Sequence, residues 1–506
     1  MKIKYYIVLA AATLSLSSCF KLDQEPYVEL SQKNSFQSVR DAQFWVNGMY
    51  SSLRSNFHGI AMYATDIQAD YLQSVRSFSQ NEDLDNLYNW SLLNSSNTTI
   101  ASLWRKHFEA IQNINIALDG IVTIPTSTTA DKQKITQNMG ELYLARAIYY
   151  TYLVTHYAPS YNETSPYGLP LLDHFIDGEF PLRSSVKETY DFILADINRA
   201  QEKLSNEEGS PGKDTFSKDA VTALKARVLL YKGDWAGAYQ AATSLIAAGT
   251  YPLISPSETA LKNMWDTDGP AESITQLYAR YSNGNDGELP QGNTIYLGED
   301  KSIFGDEYYP NFAPTQDFVN LFESNDLRKK VYIKELYINY GSSTRFDNIY
   351  LVAKYPDNDQ LKNSPYDNGT FLHRPKIFRI AEQYLIAAEA AYRNADETNA
   401  RLYLNRLRRS RGLTTEVTAT ADALFREIQN ERNRELSFEG FRLTDIKRWN
   451  LAVVRGTPQN LDAIVTTDPT NGYQLNVPAG NYKLVWPIPP TNIRYENGRW
   501  KQNPGW

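Results

Sequence analysis

The 506-residue chain contains one cysteine, so no internal disulfide is available to it. Its five histidines (His58, His107, His156, His174 and His373) are scattered, and none has the H-E-x-x-H spacing of a helical metal site. Phosphate loops of the GxxxxGK type and G-x-S-x-G elbows are missing too. Asp266-x-Asp268-Gly269 opens like a calcium loop but lacks the later ligands and the closing glutamate. Neither a metal nor a cofactor is expected. An excess of positive charge is also lacking: the formal net charge of -7 disfavours nucleic acid as a partner. No interior Gly/Ser or Pro-rich linker divides the chain, which favours one large domain. The balance of 42% hydrophobic to 22% charged residues is that of a folded protein, not a disordered one. What the chain has in abundance is rings. Its 35 tyrosines and nine tryptophans offer more amphipathic ring surface than a core needs.

The lone cysteine sits at position 19. Lys2 and Lys4 precede an apolar run from Ile7 to Leu16, which is too short for the roughly 20 residues of a membrane span. The small Ser17 and Ser18 follow, completing a secretory signal. Leu16-Ser17-Ser18-Cys19 resembles a bacterial lipobox, whose cysteine thiol takes a lipid and becomes the first residue after cleavage. Residues 1–18 are therefore expected to be a lipoprotein signal peptide, with Cys19 as the acylated (palmitate-bearing) residue. The polar stretch FKLDQEPYVEL then reads as a tether, with residues 19–30 anchoring a folded domain over 31–506. Losing Lys2 and Lys4 would move the charge from -7 to -9.

Helical periodicity runs through the interior. ELYLARAIYYTYLVTHY (141–157) sets Leu144, Ile148, Tyr152 and Thr155 on one face before Pro159, and VKETYDFILADINRAQEKL (186–204) repeats the pattern. Residues 217–249 read as two helices with a corner at Gly233-Asp234. Residues 378–412 read likewise, with a corner at Asn394-Ala395-Asp396. Alanines stand where helices cross closely, at Ala223, Ala226, Ala238, Ala387, Ala388, Ala391 and Ala400. A period near 34 residues is of the tetratricopeptide kind, whose pairs stack into a curved array. The predicted fold is mainly α, a tetratricopeptide-like repeat scaffold. Residues 252–376, rich in Asn, Asp, Gly, Pro and Tyr, are expected to be long irregular loops forming a binding face.

The C-terminal third carries a family pattern. IQNERNRELSFEGFRLTDIKRWN (428–450) and LVWPIPPTNIRYENGRWKQNPGW (484–506) resemble the RagB/SusD family of Bacteroidetes outer-membrane lipoproteins. The 378–412 pair and LYLARAIYYTYLV … YGLPLL (142–172) are similar to that family as well. The resemblance implies a SusD-like, surface-exposed lipoprotein that captures oligosaccharides, or less often other nutrients. It also implies a TonB-dependent (SusC-like) transporter as partner, and binding without hydrolysis. The region least like the family is 252–376, where members differ with their ligands. The charged run from Glu431 to Arg448 reads as an ion-pair lattice fixing two helices rather than as an active site.

Sugar rings stack their C–H faces on Tyr or Trp, and their hydroxyls need amide and charged partners. Two aromatic stretches offer both. The first, residues 70–90, supplies Tyr71, Arg76, Phe78, Asn81 and Trp90 as candidate ligand contacts, with Tyr88 nearby. The second, residues 265–309, supplies Trp265, Tyr281, Asn283, Tyr296, Tyr308 and Tyr309. The expectation is a glycan-binding surface built from these two stretches, facing the cell exterior from a lipid-anchored position in the outer membrane. An anchored glycoside hydrolase and a protein-binding helical scaffold are the rival readings, since two carboxylates would suffice for hydrolysis.

Overall fold

Ser38, Thr128 and Ser185 each start a long helix in the same way. Each hydroxyl accepts from the backbone N–H three residues on, and Asp41, Asp131 or Glu188 there returns the bond. In the computed structural model, which describes residues 35–75, 82–281, 288–302, 305–340, 344–362, 369–464 and 475–506, helices dominate. The N-terminal part holds α1 (Val39–Asn56), α2 (Ile60–Gln68), α3 (Glu82–Tyr88), α4 (Thr98–Ile121), α5 (Thr129–Tyr157) and α6 (Val186–Lys203). Next come α7 (Lys218–Lys232), α8 (Trp235–Ala248), α9 (Glu258–Asp266), α10 (Gln316–Asn320) and α11 (Arg328–Val331). The C-terminal part holds α12 (Ile380–Arg393), α13 (Glu397–Ser410), α14 (Ala421–Glu435), α15 (Arg442–Arg448) and α16 (Pro490–Tyr495).

Both expected corners are present. Gly233 ends α7 in the left-handed region at φ 80°, and Asp234 caps α8 by accepting from the Gly237 N–H. Ala395 at φ 60° and Asp396 do the same between α12 and α13. All seven crossing alanines are buried. Each helix packs on the next from α4 to α8. The stack then jumps: α8 packs on α12, which packs on α13 and α14. The repeat scaffold is therefore continuous in space, with residues 252–376 looping out of it in sequence.

That excursion is not simply a set of surface loops. It carries α9 to α11 and several two-stranded antiparallel sheets. It also buries Trp265, Tyr296, Tyr332 and Tyr355 in the main core, which spans residues from Ala42 to Trp500. The loop-rich segment thus carries short helices and hairpins of its own. These rings fill volume that the helix pairs alone leave open.

The expected ion-pair lattice is built around Glu435, which is fully buried and meets Arg328, Arg379 and Arg411 at 2.9–3.1 Å. Arg448 bridges Glu389 and Asp445, and the half-buried Trp449 donates its indole N–H to Glu389 at 2.8 Å. Among the described residues, no helix is long and apolar enough to cross a membrane.

Candidate functional site

Two hairpins stand together on the looped-out segment. One pairs strand Glu299–Ser302 with strand Gly305–Tyr308; the other pairs strand Ile333–Tyr340 with strand Thr344–Val352. Gly298 lets the first hairpin close. Its φ is 55°, and a Cβ there would lie 2.2 Å from the Tyr309 carbonyl oxygen. The two hairpins are stitched by the Tyr308 N–H donating to Asn339 Oδ1 at 3.0 Å and by the Tyr337 hydroxyl donating to the Asp306 carbonyl. Tyr308 meets Tyr337 edge to face at 5.2 Å.

A small core of its own supports this unit: Val75, Leu297, Tyr308, Ala313, Ile338, Ile349 and Phe371. Val75 arrives there because the preceding strand Leu72–Ser74 pairs with strand Phe312–Pro314. Val75 of the first expected stretch therefore meets Leu297 and Tyr308 of the second in this core.

Above that core the hairpins expose rings. Tyr309 is 37% exposed and Tyr340 is 41% exposed, while Tyr337 and Phe346 are half-buried. The Arg345 guanidinium lies 3.6 Å over the Tyr337 ring centre and pairs with Asp347, so that face of the Tyr337 ring is covered. The Tyr309 hydroxyl donates to Glu307 at 2.8 Å, and this bond raises the phenol's pKa. A groove of about 250 Å³ adjoins Tyr308, edged by Lys262, Lys330, Lys334, Asp266 and Glu299. Ring faces beside hydrogen-bonding groups are what a polyhydroxylated ligand needs.

The sequence candidates divide sharply. Tyr71, Trp90, Trp265, Tyr296 and Tyr308 are buried, so their rings cannot serve as exposed platforms. Each has its reason. Tyr71 packs on Phe318 and Phe438 at 5.2 and 5.3 Å, and its hydroxyl accepts from the Phe438 N–H. Trp90 donates to the Gln68 carbonyl at 3.0 Å. Trp265 meets Tyr332 and Tyr355 edge-on, under the Lys354 ammonium at 4.3 Å. Tyr296 donates to Asp66 at 2.9 Å. Tyr308 is the internal support of the hairpin unit. Tyr88 is likewise buried, bonded to Gln73.

Tyr309 remains on the surface. Tyr281 is half-buried elsewhere, beside the Arg280–Glu288 bridge that Arg54 on α1 holds at 3.6 Å. Arg76, Phe78, Asn81, Asn283 and Cys19 lie outside the described residues. Sequence reasoning passed over Tyr337, Tyr340, Arg345 and Phe346. A signal was available: two β-rich runs flank Gly341-Ser342-Ser343, a hairpin-length turn.

The histidines expected to have bland roles are in the core, except for the exposed His174. No group of three or more metal-ligating side chains occurs among the described residues.

Comparison with known proteins gives the architecture a lineage. Residues 248–506 match the model of the SusD family, and residues 22–230 match one described as "Starch-binding associating with outer membrane". SusD-like protein P38 of Formosa agariphila is 27% identical, covering 87% of this chain and 89% of its own. SusD-like protein P2 of the same organism is 24% identical over 97% of this chain and all of its own. Among solved structures, a SusD superfamily protein from Bacteroides thetaiotaomicron superposes with a TM-score of 0.77 at 23% identity, covering 92% of this chain and 100% of that one. A putative sugar-binding protein from Bacteroides vulgatus superposes with a TM-score of 0.74 at 23% identity, over 93% and 99%. With the family model matching just over half of its length, and the repeat stack and C-terminal motif in place, the chain belongs to the SusD family.

Proposed function

We propose that this protein is a glycan-binding lipoprotein of the outer membrane, anchored through Cys19, which captures oligosaccharides without cleaving them and passes them to a TonB-dependent transporter. The observation that carries the reading is the pair of exposed rings Tyr309 and Tyr340 on the hairpin unit, which is raised on its own core and bordered by hydrogen-bonding side chains. The family description supports sugar as the ligand and the outer membrane as the location. A rigid double hairpin orders few side chains when a chain of sugars lies across it, so little conformational entropy is lost on binding.

Affinity electrophoresis on soluble starch and a panel of other polysaccharides tests the reading. Tyr309→Ala and Tyr340→Ala should each weaken retention by about 1–3 kcal/mol, on the scale measured for bases stacked on aromatic rings. Their melting temperatures should match the wild type, because both rings are exposed. Release of reducing ends by the purified protein would instead make it a hydrolase. Retention of no glycan by the wild type would remove the proposal.

Anchoring has a separate test. Cys19→Ala should abolish fatty-acid labelling and move the protein from the membrane to the soluble fraction. Label persisting on the variant would sink the lipobox reading. Co-purification of a barrel transporter with the wild-type protein is the expected sign of delivery, and protease shaving of intact cells reports whether the protein faces outward.

A further inference from the structure

On the N-terminal helices, a groove of about 300 Å³ lies between α1 and α4, over α5. Its floor is apolar, with Met49, Ile114 and Leu142 buried beneath it. Trp45 and Ser52 line it half-buried, and Gly48 and Asn113 line it exposed, so solutes can reach it. The volume is about twice the roughly 150 Å³ of an engineered cavity that takes one benzene ring. A hexose has twice as many non-hydrogen atoms as benzene.

Gly48 is the odd residue of α1. It stands in mid-helix, where the extra backbone freedom of glycine makes it less stable than alanine. Its φ is not in the left-handed region, and a Cβ there would meet no atom within 4 Å. Neither backbone conformation nor packing among the described residues accounts for it. The missing side chain leaves open space on the helix face that also carries Trp45 one turn before and Ser52 one turn after.

The groove is polar at its edge and uncharged. Phe36 stacks on Trp45 with ring centres 5.3 Å apart and planes within 14° of parallel. That covers one face of the indole, and the groove meets the other face or the edge. The Trp45 indole N–H, the Ser52 hydroxyl and the Asn113 carboxamide hydrogen-bond to no other described residue. Between them they can donate and accept at three points. Among the described residues, no charged side chain lines the groove. An ion entering it would give up water and gain no counter-charge. A hydrocarbon would strip water from three polar groups that it cannot bond.

The geometry points to a second binding site, for one neutral sugar residue. Its C–H face would lie against Trp45 and over Gly48, where no Cβ holds it off the helix, and its hydroxyls would bond Ser52 and Asn113. The site shares no residue with the hairpin platform, so it stands or falls independently of the surface reading.

Gly48→Leu tests it by filling the open space. Leucine is the better helix former and its Cβ meets nothing, so this variant should melt at or above the wild-type temperature. Saturation-transfer NMR is run on the full chain carrying Tyr309→Ala and Tyr340→Ala, which removes the platform rings. D-glucose, D-galactose and D-mannose are the probes. At least one should bind this double variant, and adding Gly48→Leu should weaken that binding by about tenfold or more. Adding Asn113→Ala instead should weaken it by about five- to tenfold, the worth of one hydrogen bond. Binding of none of the three sugars by the double variant overturns the site, and so does unaltered binding once Gly48→Leu is added. Should Gly48→Leu not fold, the exposed Asn113→Ala decides, and unaltered affinity there overturns the site.

Discussion

Glu435→Ala will lose about 3–5 kcal/mol of unfolding free energy, the cost of removing one partner from a buried ion pair. The carboxylate is fully buried. Its Oε1 accepts from Arg379 and Arg411, each at 2.9 Å, and from the Tyr332 hydroxyl at 3.2 Å. Its Oε2 accepts from Arg411 at 2.9 Å and Arg328 at 3.1 Å. Burial alone would raise its pKa, but Arg411, Arg379 and Arg328 reverse that and hold the carboxyl well below the usual range. Each arginine keeps one other carboxylate or more: Glu272 for Arg411, Glu439 for Arg379, Asp326 and Glu431 for Arg328. Losing Glu435 therefore leaves three guanidiniums crowded in a dry interior with their shared counter-charge gone. Glu435→Gln, which keeps the shape, should be nearly as damaging, so charge rather than volume is being tested. Chemical denaturation of both variants measures the loss. If either melted like the wild type yet lost glycan retention, this motif would belong to the ligand site and not to the scaffold.

The charged run from Glu431 to Arg448 was legible from the sequence because its spacing is local, whereas Arg328, Arg379 and Arg411 reach Glu435 from 107, 56 and 24 residues away. Glu431 and Glu435 share a helix face, and apolar residues alternate with the charges. The corners at Gly233 and Asn394–Asp396 were legible for the same reason: each is a cap, read within a few residues. Periodicity could also have shown α1 and α4, where Val46, Met49 and Leu53 and then Leu103, Trp104, Ile111 and Leu118 recur at helical spacing. Exposure of the aromatic rings was not legible. Tyr296 and Tyr309 stand in equally polar, Gly- and Asn-rich text. One is buried, bonded to Asp66 230 residues away, and the other is exposed among the described residues. Burial of a ring is decided by what arrives from elsewhere, and a single sequence carries no record of that arrival.

The same long-range packing sets an unusual balance of titrations, and with it a second large effect. His58, His107 and His156 are buried, and burial pushes their pKa values down to about 4, 3 and 3. In the unfolded chain each gains its proton near pH 6.5. Below that pH the unfolded state binds more protons than the folded one, so each histidine costs stability as pH falls. Asp66 and Glu141 oppose them. Burial raises both carboxyls to about 7, so the folded state holds protons that the unfolded chain has released above pH ~4, and these two favour the fold as pH falls. Between pH ~5 and ~6.5 three titrations thus oppose two, at about 1.4 kcal/mol per pH unit each. Wild-type stability should fall only gently over that window as the solution is acidified, by the worth of one group. Single variants expose the hidden terms. His107→Phe keeps the ring that stacks on Tyr152 at 4.1 Å and removes one titration, so its stability should be nearly level across the window. Asp66→Asn keeps a partner for the Tyr296 hydroxyl and removes an opposing term, so its slope should double. Glu141→Gln should behave like Asp66→Asn. Urea unfolding at half-unit pH steps measures all three slopes. Parallel curves for wild type, His107→Phe and Asp66→Asn would mean that these groups titrate alike in the folded and unfolded chain, and that their burial is not what governs acid sensitivity.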